Sequence, residues 1–184
     1  KVYEDHAFVV SEANGHGMQV FDLTRLRNVS NPPETFTEDA HYNGFGSAHN
    51  IVINEDSGYA YGVGTSTFNG GAHFVNIQNP LNPVAAGGFA AGLYTHDAQI
   101  LTYNGPDTDY TGREILIGSN EDNIVIADIT DKANPIIIST ISYNNVAYTH
   151  QGWFTEDQRY FIVGDELDEL NIGGNTRTIV FDLN

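Results

Sequence analysis

The sequence predicts an all-β protein: a β-propeller of which about four four-stranded blades are present, as part of a larger ring. Three observations carry this. No window of the 184 residues sustains a helical period, and the apolar runs are short and bounded by Gly, Asn, Asp and Pro, as strands are. The stretch Tyr94-Thr95-His96-Asp97-Ala98-Gln99 returns as Tyr148-Thr149-His150-Gln151-Gly152-Trp153, with a weaker copy at Ser47-Ala48-His49-Asn50-Ile51. Four apolar runs end in Asp22-Leu23, Asn76-Ile77, Asp128-Ile129 and Asp182-Leu183, at steps of 54, 52 and 54 residues. That period is close to the ~40–50 residues of a four-stranded blade.

The elements follow in order. His6 to Val10 is a strand, Ser11 to Gly17 a polar turn, and Met18 to Leu23 a strand. Asn31-Pro32-Pro33 breaks the pairing, because proline lacks the ladder donor. Glu34 to Ala40 follows as an edge strand. The second set is His49 to Asn54, Tyr59 to Gly64 and Ala72 to Ile77, a break at Asn79 to Pro83, then Val84 to Phe89. The third is His96 to Tyr103, Glu114 to Gly118 and Asn123 to Ile129, a break at Asn134-Pro135, then Ile136 to Ser142. The last is His150 to Phe154, Tyr160 to Val163 and Thr178 to Leu183. Blades are expected at approximately 1–44, 45–92, 93–145 and 146–184. A blade alone leaves an apolar face uncovered, so neighbours must stack. A sandwich of irregular strands would not produce a recurring third-strand ending followed by Asn-Pro.

The motifs Gly15-His16-Gly17-Met18-Gln19-Val20-Phe21-Asp22-Leu23, Tyr94 to Gln99, Asn104-Gly105-Pro106-Asp107, Tyr148 to Trp153 and Gly164-Asp165-Glu166-Leu167-Asp168-Glu169 carry a resemblance. The chain resembles the LVIVD-repeat β-propellers, in particular the bacterial choice-of-anchor B surface proteins, over nearly its whole length. The resemblance implies an extracellular or cell-surface propeller, often anchored, with more blades than four. The first blade lacks most of its inner strand and the last its outer strand. A fragment is therefore expected, with signal and anchor outside it, and with remaining blades or a second copy needed to close the ring.

Composition narrows the partners. Twenty-four Asp and Glu against seven Lys and Arg give a formal charge of −17. Such a field repels nucleic acid and anionic membranes. No run approaches the ~18 apolar residues of a membrane span, and there is no cysteine from which to read a redox compartment.

In a propeller the inner strand begins on the face where the second strand turns into the third. One face therefore gathers His49, His96 and His150, with Asp165 and Glu166 among the surrounding acids. Neutral imidazoles with nearby carboxylates suit a transition-metal ion such as Cu or Zn. Asp97 and Gln151, one residue after two of the histidines, are placed to orient rings rather than to ligate. The alternative is that each histidine donates to the backbone of a neighbouring blade and closes the channel. A second acidic group, Asp107, Asp109 and Glu114, offers oxygen donors for Ca in a loop, against the plain reading of a solvated turn.

Two functions follow. The first is a binding or scaffold module directed at a surface, polymer or protein partner, with a metal ion at the His-lined channel. The second is a transition-metal oxidoreductase using the same histidines. It rests on a loose similarity, in repeated histidines alone, to the copper-bearing methanethiol oxidase and selenium-binding-protein propellers.

Overall fold

The computed structural model describes residues 1–90 and 94–184. The expected boundary between the second and third blades, at residues 92 and 93, lies outside the described residues. Four antiparallel sheets follow one another along the chain. The first has the order β1 (Val2–Tyr3), β2 (His6–Val10), β3 (Met18–Asp22) and β4 (Ala40–Tyr42). The second is β5 (Asn50–Asn54), β6 (Tyr59–Val63), β7 (Ala72–Asn76) and β8 (Val84–Phe89). The third is β9 (Asp97–Thr102), β10 (Glu114–Ser119), β11 (Ile124–Asp128) and β12 (Ile136–Ile141). The fourth has three strands, β13 (Thr149–Phe154), β14 (Tyr160–Asp165) and β15 (Arg177–Asp182). The one α-helical turn among the described residues, α1 (Asp168–Asn171), has four residues. No helix among them is long and apolar enough to cross a membrane.

The repeat has a physical cause at the end of each third strand. Asp22, Asn76, Asp128 and Asp182 all accept a backbone N–H two residues on, from Thr24, Gln78, Thr130 and Asn184. This local turn stops the ladder at the same register in every sheet. The residue between, Ile77 or Ile129 in the middle sheets, drops into the core.

Three apolar cores join the sheets in series. Phe8, Met18 and Val20 meet Ile51, Ala60 and Val75 between the first two sheets. Tyr61 and Phe74 meet Ile100, Leu116 and Ala127 between the second and third. Ile115, Ile117 and Ile124 meet Phe154, Phe161 and Val163 between the third and fourth. Among the described residues no core joins the fourth sheet to the first. The sheets are propeller-like blades in an open series, and no closed ring is seen among the described residues.

One element differs from expectation. The outer strand of the first sheet is Ala40–Tyr42, and Glu34 to Glu38 carries no strand. Arg25 donates to the Thr37 carbonyl at 2.9 Å and to Asp39 at 2.7 Å, which draws this segment onto the turn after β3. Only at Asp39, whose N–H reaches the Val20 carbonyl, does the chain begin to follow the sheet.

Candidate functional site

His49 and His96 each immediately precede an inner strand, and each is fixed by the same backbone bond. His49 N–H donates to the Val63 carbonyl and His96 N–H to the Ser119 carbonyl, both at 2.9 Å. His150 lies one step inside β13, at a register shift between Thr149 and Gln151. That bulge re-aims a side chain that a regular strand would carry elsewhere. The three rings form a row. Centroids of His49 and His96 are 4.0 Å apart, and those of His96 and His150 4.6 Å. The rings are tilted by 40° and 43°.

A carboxylate stands at each end of the row. His49 Nδ1 is 2.7 Å from Glu12 Oε1, and His150 Nε2 is 3.7 Å from Glu166 Oε2. In the middle, His96 Nδ1 is 3.1 Å from the His150 carbonyl. A carbonyl only accepts, so the proton of neutral His96 is on Nδ1 and the Nε2 lone pair is free. In a neutral His49 ring, donation from Nδ1 to Glu12 likewise puts the lone pair on Nε2. Burial, chiefly, and then the neighbouring His49 and His150 hold His96 below the ordinary histidine value, so it stays neutral. The channel-closing bond to a neighbouring sheet is thus present at one nitrogen of His96, while the other remains available.

Two tyrosines wall the row. Tyr94 packs at 6.4 Å from the His49 ring and 6.3 Å from the His96 ring, and Tyr148 edges His96 at 5.2 Å. Tyr148 Oη donates to Glu121 at 3.1 Å. Burial first, and Glu121 second, push this phenol up to about 12. Gly64 makes room for Tyr94: a Cβ there would stand 2.6 Å from the phenol oxygen, and φ is +60°.

The other expected residues divide. Asp97 takes the Asn50 side-chain amide at 3.0 Å and thereby ties β5 to β9 rather than a ring. Gln151 is exposed. Asp165 is fully buried and committed: it accepts from the N–H groups of Ala147 and Tyr148 and pairs with Arg177 at 3.0 Å. Asp168 joins the same guanidinium at 2.7 Å, and that contact holds its carboxyl below the usual range. Asp107 caps a short turn by accepting from Asp109 N–H at 3.1 Å. Glu114 leaves that loop altogether and turns into the seam between the second and third sheets. Among the described residues no three His, Asp or Glu side chains converge on a point that could hold a metal ion.

Sequence reasoning overlooked Arg177 and His73. Arg177, the first residue of β15, is the one cation in the acid-rich stretch from Asp165 to Asp182, which was the available signal. His73 is buried between Tyr42 Oη at 2.7 Å and Thr67 Oγ1 at 2.9 Å. It serves packing, and burial lowers its pKa.

No family model matches the chain, and no curated protein matches it. Among solved structures, a crystal structure of a protein from Lactobacillus plantarum is similar in fold. It aligns with a TM-score of 0.50 and 13% identity over 97% of this chain and 52% of that one. The fold class is therefore a β-propeller-like, all-β architecture. The chain spans about half the length of that protein.

Proposed function

We propose that the chain is a stretch of an extracellular or cell-surface propeller of the LVIVD-repeat, choice-of-anchor B kind, a binding or scaffold module. In this reading the His49–His96–His150 row holds a transition-metal ion such as Zn or Cu. The observation that carries the reading is the geometry of the row: three rings with centroids 4.0 and 4.6 Å apart, and an oxygen facing Nδ1 of both His49 and His96. In their neutral form His49 and His96 each spend Nδ1–H on an oxygen and present an Nε2 lone pair, the state in which imidazole ligates. The Glu12 contact to His49 matches the carboxylate that commonly orients a metal-bound histidine. The donor set therefore fits a borderline cation. The tilted rings do not converge on one point, and binding requires them to turn. The side chains of His49 and His150 are 30% and 31% exposed and have the freedom to do so.

The test is calorimetric titration of zinc and of copper(II) into the chain and into His96→Ala. One ion per chain is expected, with affinity falling at least tenfold in the variant while the far-ultraviolet spectrum stays that of a β protein. No binding by the wild-type chain, or equal binding by the variant, overturns the reading.

A further inference from the structure

We propose that the mouth of the histidine row binds an alkylammonium group, seated on the Tyr94 and Tyr148 rings against the Glu121 carboxylate. The proposal rests on the reading of this mouth as a binding site, and not on the metal. The repeat places the two tyrosines alike, each two residues before its histidine. Tyr94 lies against His49 and His96, and Tyr148 against His96 and His150. Both are half-buried, so part of each ring faces solvent. Tyr148 stands at 87° to His96, so these two rings form a corner, with Glu121 at the phenol end.

The charge around these rings is unbalanced at one point. Glu12, Glu121 and Glu166 are all exposed. Glu12 faces His49 and Glu166 faces His150, but Glu121 faces a phenol alone, accepting from Tyr148 Oη at 3.1 Å. Among the described residues no Lys, Arg or His pairs with it. A carboxylate has about four lone-pair sites, so one phenol leaves most of Glu121 free. Burial first, then Glu12 and Glu121, raise the Tyr94 phenol, which puts both carboxylates within electrostatic reach of that ring. Aromatic faces do not ligate small hydrated ions, but their negative quadrupole attracts a weakly hydrated organic cation. An anion is repelled here, and a neutral ligand of the same shape gains nothing from Glu121.

These groups stand in the two inner seams, away from the uncovered faces of the first and fourth sheets. Tyr94 packs over the second sheet, where a Cβ on Gly64 or Gly70 would stand 2.6 or 2.9 Å from its ring atoms or hydroxyl. Tyr148 is tied to the third sheet through Glu121, whose carbonyl accepts from the next residue, Thr149 N–H. A metal ion on the adjacent imidazoles would repel a second cation, so zinc and the ammonium group should weaken each other.

The experiment is a nuclear magnetic resonance titration of the chelator-treated chain, following tyrosine and histidine ring protons. The probes are choline, its uncharged isostere 3,3-dimethylbutan-1-ol, and Nα-acetyl-lysine methylamide. Choline or the lysine derivative is expected to shift the Tyr94, Tyr148 and His96 signals saturably, and the isostere to bind about tenfold more weakly or not at all. Saturation by choline alone points to a free quaternary amine, and by the lysine derivative alone to a lysine side chain. Glu121→Gln and Tyr148→Leu should each weaken binding about tenfold, whereas Tyr148→Phe, which keeps the ring, should stay within about threefold. Circular dichroism checks that each variant folds, and Glu121→Gln alters only an exposed side chain. No saturable binding of either cation overturns the proposal, as does an isostere that binds equally or a Glu121→Gln variant that binds like wild type. Cations failing while zinc binds removes this proposal alone; zinc failing while they bind removes the metal alone.

Discussion

Glu114 begins β10 and points into the seam between the second and third sheets, where it gathers donors from both. Lys132 Nζ reaches it at 2.6 Å, Asn54 and Ser57 at 2.8 Å, and the Tyr61 hydroxyl also donates to it. Burial alone would raise its pKa, but these donors outweigh burial and hold it below the ordinary carboxylate value. A folded-state pKa depressed in this way contributes stability at neutral pH that is lost as pH falls through the depressed value. Lys132→Met should leave a buried unpaired carboxylate and cost roughly 3–5 kcal/mol in urea unfolding at pH 7. Because acid then relieves the unpaired charge, the variant should lose less stability than wild type on acidification below the carboxylate range. Equal slopes for the two proteins would remove Glu114 from the account. The sequence places Glu114 beside Asp107 and Asp109, and nothing in that spacing says which face of the strand it takes. Asp165 and Glu166 make the same point as neighbours. Alternation sends Asp165 inward to Arg177 and Glu166 outward towards His150.

The strands themselves were far more legible. Each third strand ends at a short polar residue that accepts from the N–H two positions on, so one local turn writes the period into the sequence. Apolar alternation on either side then fixes which residues pack forward and which back. What failed was the excursion after β3, where a guanidinium contact from Arg25 displaces the expected edge strand. The seams between sheets should carry most of the stability, because among the described residues every buried large apolar side chain lies in one of them. Phe161, fully buried between the third and fourth sheets, offers the test. Phe161→Ala is expected to cost about 3–5 kcal/mol by denaturant titration. A loss under about 1 kcal/mol would mean that the last sheet is not docked as described.

Across the molecule the same contact is applied three times, and the histidine row is its consequence. Equivalent positions on consecutive sheets carry side chains towards one line, which is why three residues about fifty positions apart end with rings in contact. The acidic surplus is a separate property. Six of the seven basic side chains pair with carboxylates, namely Arg25, Arg27, Arg113, Lys132, Arg159 and Arg177, which leaves most acids free to set a strongly negative exterior. The row was readable because it repeats. Its ring contacts and its flanking Glu12 and Glu166 depend on distances between sheets that no sequence spacing encodes.

His49, His96 and His150 form one row of touching rings. Nuclear magnetic resonance of the imidazole carbon-bound protons tests this row without any ligand, because aromatic rings in contact shift one another's resonances. Replacing His96 by Ala should move the His49 and His150 signals together and leave those of His6, His41 and His73 in place. His49 and His150 signals that stay where they were in the variant would contradict the row, and with it the equivalence of the sheets that carry it.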